Sequence, residues 1–139
     1  MNKYQVLVVG GGPAGIISAV TAKKAYPDKN IALIRNIDKP VIPCGIPYIY
    51  GTLDSVEKNR MGDTALEKNG IDIISAEVTA FDKTEKTVTT SDAKKFGYEK
   101  LVLATGSKYF KVSMNTSLLY FLNASYPTKK PPSVLPVGI

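Results

Sequence analysis

The chain has 139 residues, about one domain, and 44% of them are apolar, enough to build a core. The formal charge of +6 is uneven: residues 1–106 carry 14 basic and 12 acidic side chains, whereas Lys108, Lys111, Lys129 and Lys130 lie in a stretch without an acid, so the basic character belongs to the tail and, with no basic cluster interleaved with aromatics, argues against nucleic-acid binding. One cysteine excludes an internal disulfide and fits a reducing, cytoplasmic setting; no histidine is available for acid–base work near neutral pH; no apolar run approaches the ~20 residues of a spanning helix, and no signal peptide or metal-ligating set is visible.

Tyr4 to Val9 reads as a buried strand, since Val6, Leu7, Val8 and Val9 run without a polar break. It ends at Gly10-Gly11-Gly12-Pro13-Ala14-Gly15, a G-x-G-x-x-G spacing. Gly10 permits the tight turn, Gly12 leaves backbone bare for a pyrophosphate, and Gly15 lets the following helix pack close to the strand. Pro13 suits the first helical position, and the dipole end of that helix favours phosphate. The bland alternative is a structural glycine turn. The helix should run from Pro13 to about Ala25, with Ile16, Ile17, Ala19, Val20 and Ala25 as its apolar face and Pro27 as its stop.

Ile31 to Ile34 is a second buried strand, which completes a right-handed βαβ unit. Dinucleotide sites usually place an acid at the end of this strand to grip a ribose hydroxyl. Arg35 stands there instead, and the first acid is Asp38. Arg35 could meet a 2′-phosphate, favouring NADP, or it could be a solvated strand end.

Cys44 lies between Pro43 and Gly45, just ahead of a predicted helix, where a thiolate is stabilised and can act as a redox nucleophile. The bland alternative is a small buried hydrophobe. The chain is then polar through Gly62, with Asp54 a candidate cap for a short helix. Thr64 to Asn69 reads as a helix ended by Gly70, and Ile71 to Ser75 as a third parallel strand. The alternating runs Glu77–Phe81, Lys86–Thr90 and Phe96–Tyr98 suit an antiparallel meander. Leu101 to Ala104 is a further buried strand, ending at Thr105-Gly106-Ser107, where glycine again lets backbone approach a ligand or simply makes a turn. The fold class expected is α/β: a Rossmann-like parallel sheet with helices and a small antiparallel meander, residues 4–9 central, and a crevice at the strand C-terminal ends.

Three segments, Gly10–Gly15, Pro43–Tyr48 and Ala104–Gly106, together resemble the FAD-binding half-domain of pyridine nucleotide-disulfide oxidoreductases over residues 4–107. The nearest branch is the single-cysteine one of coenzyme A disulfide reductases, NADH oxidases and persulfide or polysulfide reductases. Two-cysteine relatives carry C-x-x-x-x-C, and the second position here is Ile49. The resemblance implies FAD as cofactor, its pyrophosphate on Gly10, Gly12, Pro13, Ala14 and Gly15, with Thr105 and Gly106 closing over it. It implies that Cys44 lies beside the flavin and passes between thiolate and a mixed disulfide or sulfenic acid. NAD(P)H would be the donor and a small-molecule disulfide, a persulfide or oxygen the acceptor, in a homodimer with no membrane or nucleic-acid partner. The family's ribose-binding acid does not map onto Arg35.

Family members continue into a nicotinamide-binding domain, return to complete the FAD domain and finish with a dimerisation domain; the expectation is that this chain carries none of these, so that its FAD domain is incomplete relative to the family. Beyond residue 107 the chain departs from the family: Asn115, Asn123 and Ser125 break up the run Leu118–Leu122, and Tyr126–Pro132 is proline-rich coil. The expected organisation is a FAD-binding domain over 1–107 and an atypical basic, proline-rich tail over 108–139, in a truncated or frameshifted frame or with a naturally short tail. Three functions compete: the flavin-binding part of an NAD(P)H-dependent disulfide oxidoreductase, inactive by itself; a small NADP- or adenine-nucleotide-binding module using Arg35; and a cofactor-free dimeric fragment.

Overall fold

The computed structural model describes residues 1–106. The elements in order are β1 (Asn2–Val9), α1 (Pro13–Ala25), β2 (Ile31–Arg35), a 3-10 turn at Pro43–Gly45, α2 (Ile46–Ile49), a 3-10 turn at Glu57–Asn59, α3 (Thr64–Lys68), β3 (Asp72–Ser75), β4 (Val78–Asp82), β5 (Thr87–Thr90) and β6 (Lys95–Leu103). They form one sheet in the order β3-β2-β1-β6-β5-β4. Strands β3, β2, β1 and β6 are parallel, and β6, β5 and β4 are antiparallel. This is the expected Rossmann-like α/β sheet with an antiparallel extension, β1 lying inside it.

The two runs Phe96–Tyr98 and Leu101–Ala104 are not separate strands. They fuse into β6, whose length is matched by β1 from Asn2↔Phe96 to Val9↔Leu103. Glu99 and Lys100 read as a polar break, yet both are exposed side chains in mid-strand. Backbone pairing to β1 carries the strand through them, because a ladder uses main-chain groups whatever the side chains are. The N-terminal half of β6 also pairs with β5, so one strand belongs to both parts of the sheet.

Alternation along the strands separates two cores. On the helix side Val8, Ile31 and Leu33 pack with Ile16 and Ala19 of α1, Leu66 of α3 and Ile71. On the other side Leu7, Ala32 and Ile34 join Tyr4, Val88, Phe96 and Tyr98, so the meander shares a core with the parallel strands. Strand β2 is buried at every residue, as a parallel strand covered on both faces must be.

Helix α1 ends where expected, with Tyr26 as C-cap ahead of Pro27. Its buried face is narrower than expected: Ile16 and Ala19 are buried, but Ile17 is 64% exposed, since one helical step turns it away from that stripe. Gly70 ends the α3 segment with a φ of +61, as a C-terminal glycine should. Asp54 does not cap a helix. Its φ is +61, Val56 precedes the 3-10 turn, and the Asp54 carboxylate meets Lys58 Nζ at 3.3 Å. The readings made for residues 107–139, Ser107 among them, lie outside the described residues.

Candidate functional site

The C-terminal ends of β1, β2 and β6 are tied together by two backbone bonds. Gly10 N–H donates to Ile34 O at 2.8 Å, and Ala104 N–H donates to Val9 O at 2.8 Å. The glycine turn and the loop after β6 therefore meet at one sheet edge, where open α/β sheets bind their ligands. Gly10 has a φ of +123, and a side chain there would run into the backbone of Ala104. A side chain on Gly15 would overlap the carbonyl oxygen of Gly10. Both glycines are thus required by close backbone approach within the protein.

Gly12 is different. A Cβ there would meet nothing within 4 Å. Gly12 is the N-cap of α1, with no side chain capping the helix and no acid in the first turn; its carbonyl accepts from Ile16 N–H at 3.0 Å. The N–H groups at this end are the orphans of any helix start, and the dipole adds positive potential. The bare backbone of Gly12, open space in front of it and an uncapped 13-residue helix behind it fit a diphosphate. Pro13 and Ala14 are exposed on the first turn, and Thr105 and Gly106 are exposed on the facing loop, Gly106 with a φ of +74.

Arg35 is not a solvated strand end. It is 4% exposed. Its stem packs against the backbone of Gly11, where a Cβ would come 2.8 Å from Arg35 Cβ and Cδ. Its guanidinium donates to both oxygens of Asp63, from Nη1 at 2.6 Å and Nη2 at 2.8 Å, and from Nη2 to Asp38 Oδ1 at 2.6 Å. Nε is buried without a partner. The hydrogen bond from Arg35 holds the Asp63 carboxyl below the usual carboxylate range, and the same bond raises the arginine. Sequence reading missed Asp63 because no local pattern links positions 28 residues apart.

Cys44 sits in the 3-10 turn after β2 and is exposed, so it is not a buried hydrophobe. The helix that follows, α2, has only four residues. The segment carrying Cys44 is closed at its base by a Val41–Arg60 bridge, by Ile42 N–H donating to Asn59 O at 2.9 Å, and by Met61 N–H donating to Pro40 O at 2.9 Å. Asp63 follows directly, so Arg35 fastens the foot of the Cys44 loop to the strand end beneath the glycine turn. Among the described residues no cluster of His, Cys, Asp or Glu could hold a metal, and no helix is long and apolar enough to cross a membrane.

Comparison with known proteins identifies the family. The sequence model of the pyridine nucleotide-disulphide oxidoreductase family matches residues 4–128, so the likeness does not stop at residue 107 as the sequence reading expected. An NADH-rubredoxin oxidoreductase of Clostridium acetobutylicum is 33% identical over 123 residues, which cover 82% of this chain and 30% of that protein. A CoA-dependent NAD(P)H sulfur oxidoreductase of Pyrococcus abyssi is 30% identical over 110 residues, covering 76% of this chain and 25% of the relative. Among solved structures, the sulfide:quinone oxidoreductase of Aquifex aeolicus superposes with a TM-score of 0.70 at 29% identity, covering 80% of this chain and 26% of that one. The chain therefore spans less than a third of the length of each of these relatives.

Proposed function

The chain belongs to the pyridine nucleotide-disulphide oxidoreductase family, and from that premise we propose that it is the FAD-binding portion of an NAD(P)H-dependent flavoprotein whose redox thiol is Cys44. The observation that carries the reading is the open backbone at Gly12 in front of the uncapped α1. Gly10 and Gly15 hold the turn, Gly12, Pro13 and Ala14 present backbone to the pyrophosphate, and Thr105 and Gly106 flank the cofactor from β6. Bound FAD would supply the two electrons, taken from NAD(P)H, that return an oxidised Cys44 sulfur to the thiolate. The thiolate attacks a disulfide or persulfide sulfur, forming one S–S bond as another breaks and releasing the departing sulfur as its thiolate. With a single cysteine in the chain, the oxidised states open to it are a mixed disulfide with the substrate or a sulfenic acid.

The acceptors named for the relatives include rubredoxin, sulfur and quinone. A small sulfur compound is favoured here because the thiol is exposed on its turn. Arg35 contributes as a positioning residue under Gly11. A 2′-phosphate reader needs a guanidinium free to donate, and this one is held by Asp63 and Asp38, which sets the NADP-module reading behind the flavin one.

The test is titration of the purified chain with FAD, followed in the flavin absorbance band and by calorimetry, with NAD and NADP in parallel. FAD binding that is lost in Gly12→Val supports the reading. Tight binding of NADP without FAD overturns it. This portion by itself is expected to bind FAD weakly and to show no NADH turnover, because no second glycine-rich turn for nicotinamide occurs in the sequence; sustained NADH-dependent flavin reduction would contradict that expectation.

A further inference from the structure

We infer that Asn59 sets the position of the Cys44 thiol, by seating its carboxamide in the space that Gly45 leaves open. The inference rests on Cys44 being the redox thiol. Asn59 lies 15 positions after Cys44, is 3% exposed, and is one of the few buried polar residues among those described. Its Nδ2 donates to Ile42 O at 3.0 Å, and its own backbone carbonyl accepts from Ile42 N–H at 2.9 Å. Ile42 O also accepts from Gly45 N–H at 3.0 Å, the bond that closes the 3-10 turn around Cys44. One carbonyl is therefore shared by the turn that holds the thiol and by the Asn59 side chain.

Gly45 shows the other half of the fit. Its φ of −87 and ψ of −11 are ordinary right-handed values, so its backbone does not need glycine. What needs glycine is the neighbour: a Cβ on Gly45 would overlap Asn59 Oδ1 and come 2.7 Å from Cγ. The carboxamide could swing aside only by giving up its bond to Ile42 in a buried setting, where an unmade hydrogen bond is costly. The Cys44 turn and the Asn59 turn thus lock at Gly45, and both sit on the loop base that Arg35 and Asp63 fasten to the sheet. In the proposed role this fixes how far the sulfur reaches toward the glycine turn. Loop placement alone would leave the thiol free to wander, and redox exchange tolerates little displacement of the reacting atom.

The experiment uses the full chain with no flavin or nicotinamide added and follows the rate of Cys44 alkylation by iodoacetamide, with thermal unfolding as the control for folding. Gly45→Ala is expected to change the alkylation rate by about threefold or more, and the effect should shrink to within about 1.5-fold when introduced into Asn59→Ala, because the two residues act through one contact. Asn59→Ser, shorter but still polar, is the second variant and should couple to Gly45→Ala in the same way if Asn59→Ala unfolds. An unchanged rate in folded Gly45→Ala overturns the inference, and so does an equal effect of Gly45→Ala with and without the Asn59 side chain. Alkylation requires no cofactor, so a failed FAD titration and a failed lock are separate results.

Discussion

Arg35 occupies the position where a ribose-binding acid is usual, and its neighbours decide what it does there. Fixed between Asp63 and Asp38 and pressed under Gly11, it is a fastening between strand end, glycine turn and the foot of the Cys44 loop. Asp63→Asn leaves the buried guanidinium with only the exposed Asp38 as counter-charge, so it should cost about 2 kcal/mol in denaturant unfolding at neutral pH. The pH dependence follows from the sign of the shift. The folded Asp63 is held below its ordinary value, so its contribution is complete above about pH 5 and is lost as pH falls through roughly 4 and below. Unfolding measured between neutrality and acid should show a weaker acid-side loss of stability in Asp63→Asn than in the parent chain. Identical pH slopes would mean that the pair does not couple to folding.

At the scale of elements, the turn between β1 and α1 contains glycines of two kinds, and substitution separates them. Gly15→Ala drives a methyl into the carbonyl of Gly10 and should destabilise the chain by about 1–3 kcal/mol, the usual range for overpacking. Gly12→Ala meets no protein atom, so its unfolding midpoint should match the parent. In the proposed FAD site its methyl would enter the space left for the pyrophosphate, and FAD affinity should fall by about tenfold or more, about 1.4 kcal/mol. Calorimetry beside thermal unfolding reads both quantities; a Gly12→Ala protein that binds FAD as well as the parent would remove Gly12 from the site. Strand β6 carries a second lesson of this scale. Its two halves looked like separate strands because Glu99 and Lys100 interrupt the apolar pattern, and only the ladder to β1 joins them.

For the whole molecule, stability should be concentrated in the strands covered on both faces. Leu33, fully buried in β2 against the helix-side core, is expected to cost about 2–5 kcal/mol on truncation to alanine. Phe81, on the edge strand β4 and 44% exposed, should cost under about 1 kcal/mol in Phe81→Ala. Denaturant midpoints of the two variants check this ordering, and equal losses would show that the meander is as firmly packed as the parallel strands.

The sequence by itself determined the features whose causes are local. The apolar runs marked β2 and the C-terminal half of β1, because a strand covered on both faces has no polar alternation to hide it. The glycine spacing at 10, 12 and 15 marked a strand–turn–helix junction, because at positions 10 and 15 only a residue without a side chain fits the close backbone approach. Pro27 and Gly70 marked helix ends through backbone restrictions that act within a few residues. The tertiary structure decided what depends on partners far along the chain. It buried Arg35 by bringing Asp63 to it, joined Phe96–Tyr98 to Leu101–Leu103 by laying them along β1, and explained Gly45 by placing Asn59 against it. The reason is the same in each case. A side chain's partner across a loop leaves no periodicity and no spacing in the sequence, so its role becomes visible only when the fold has brought the two together.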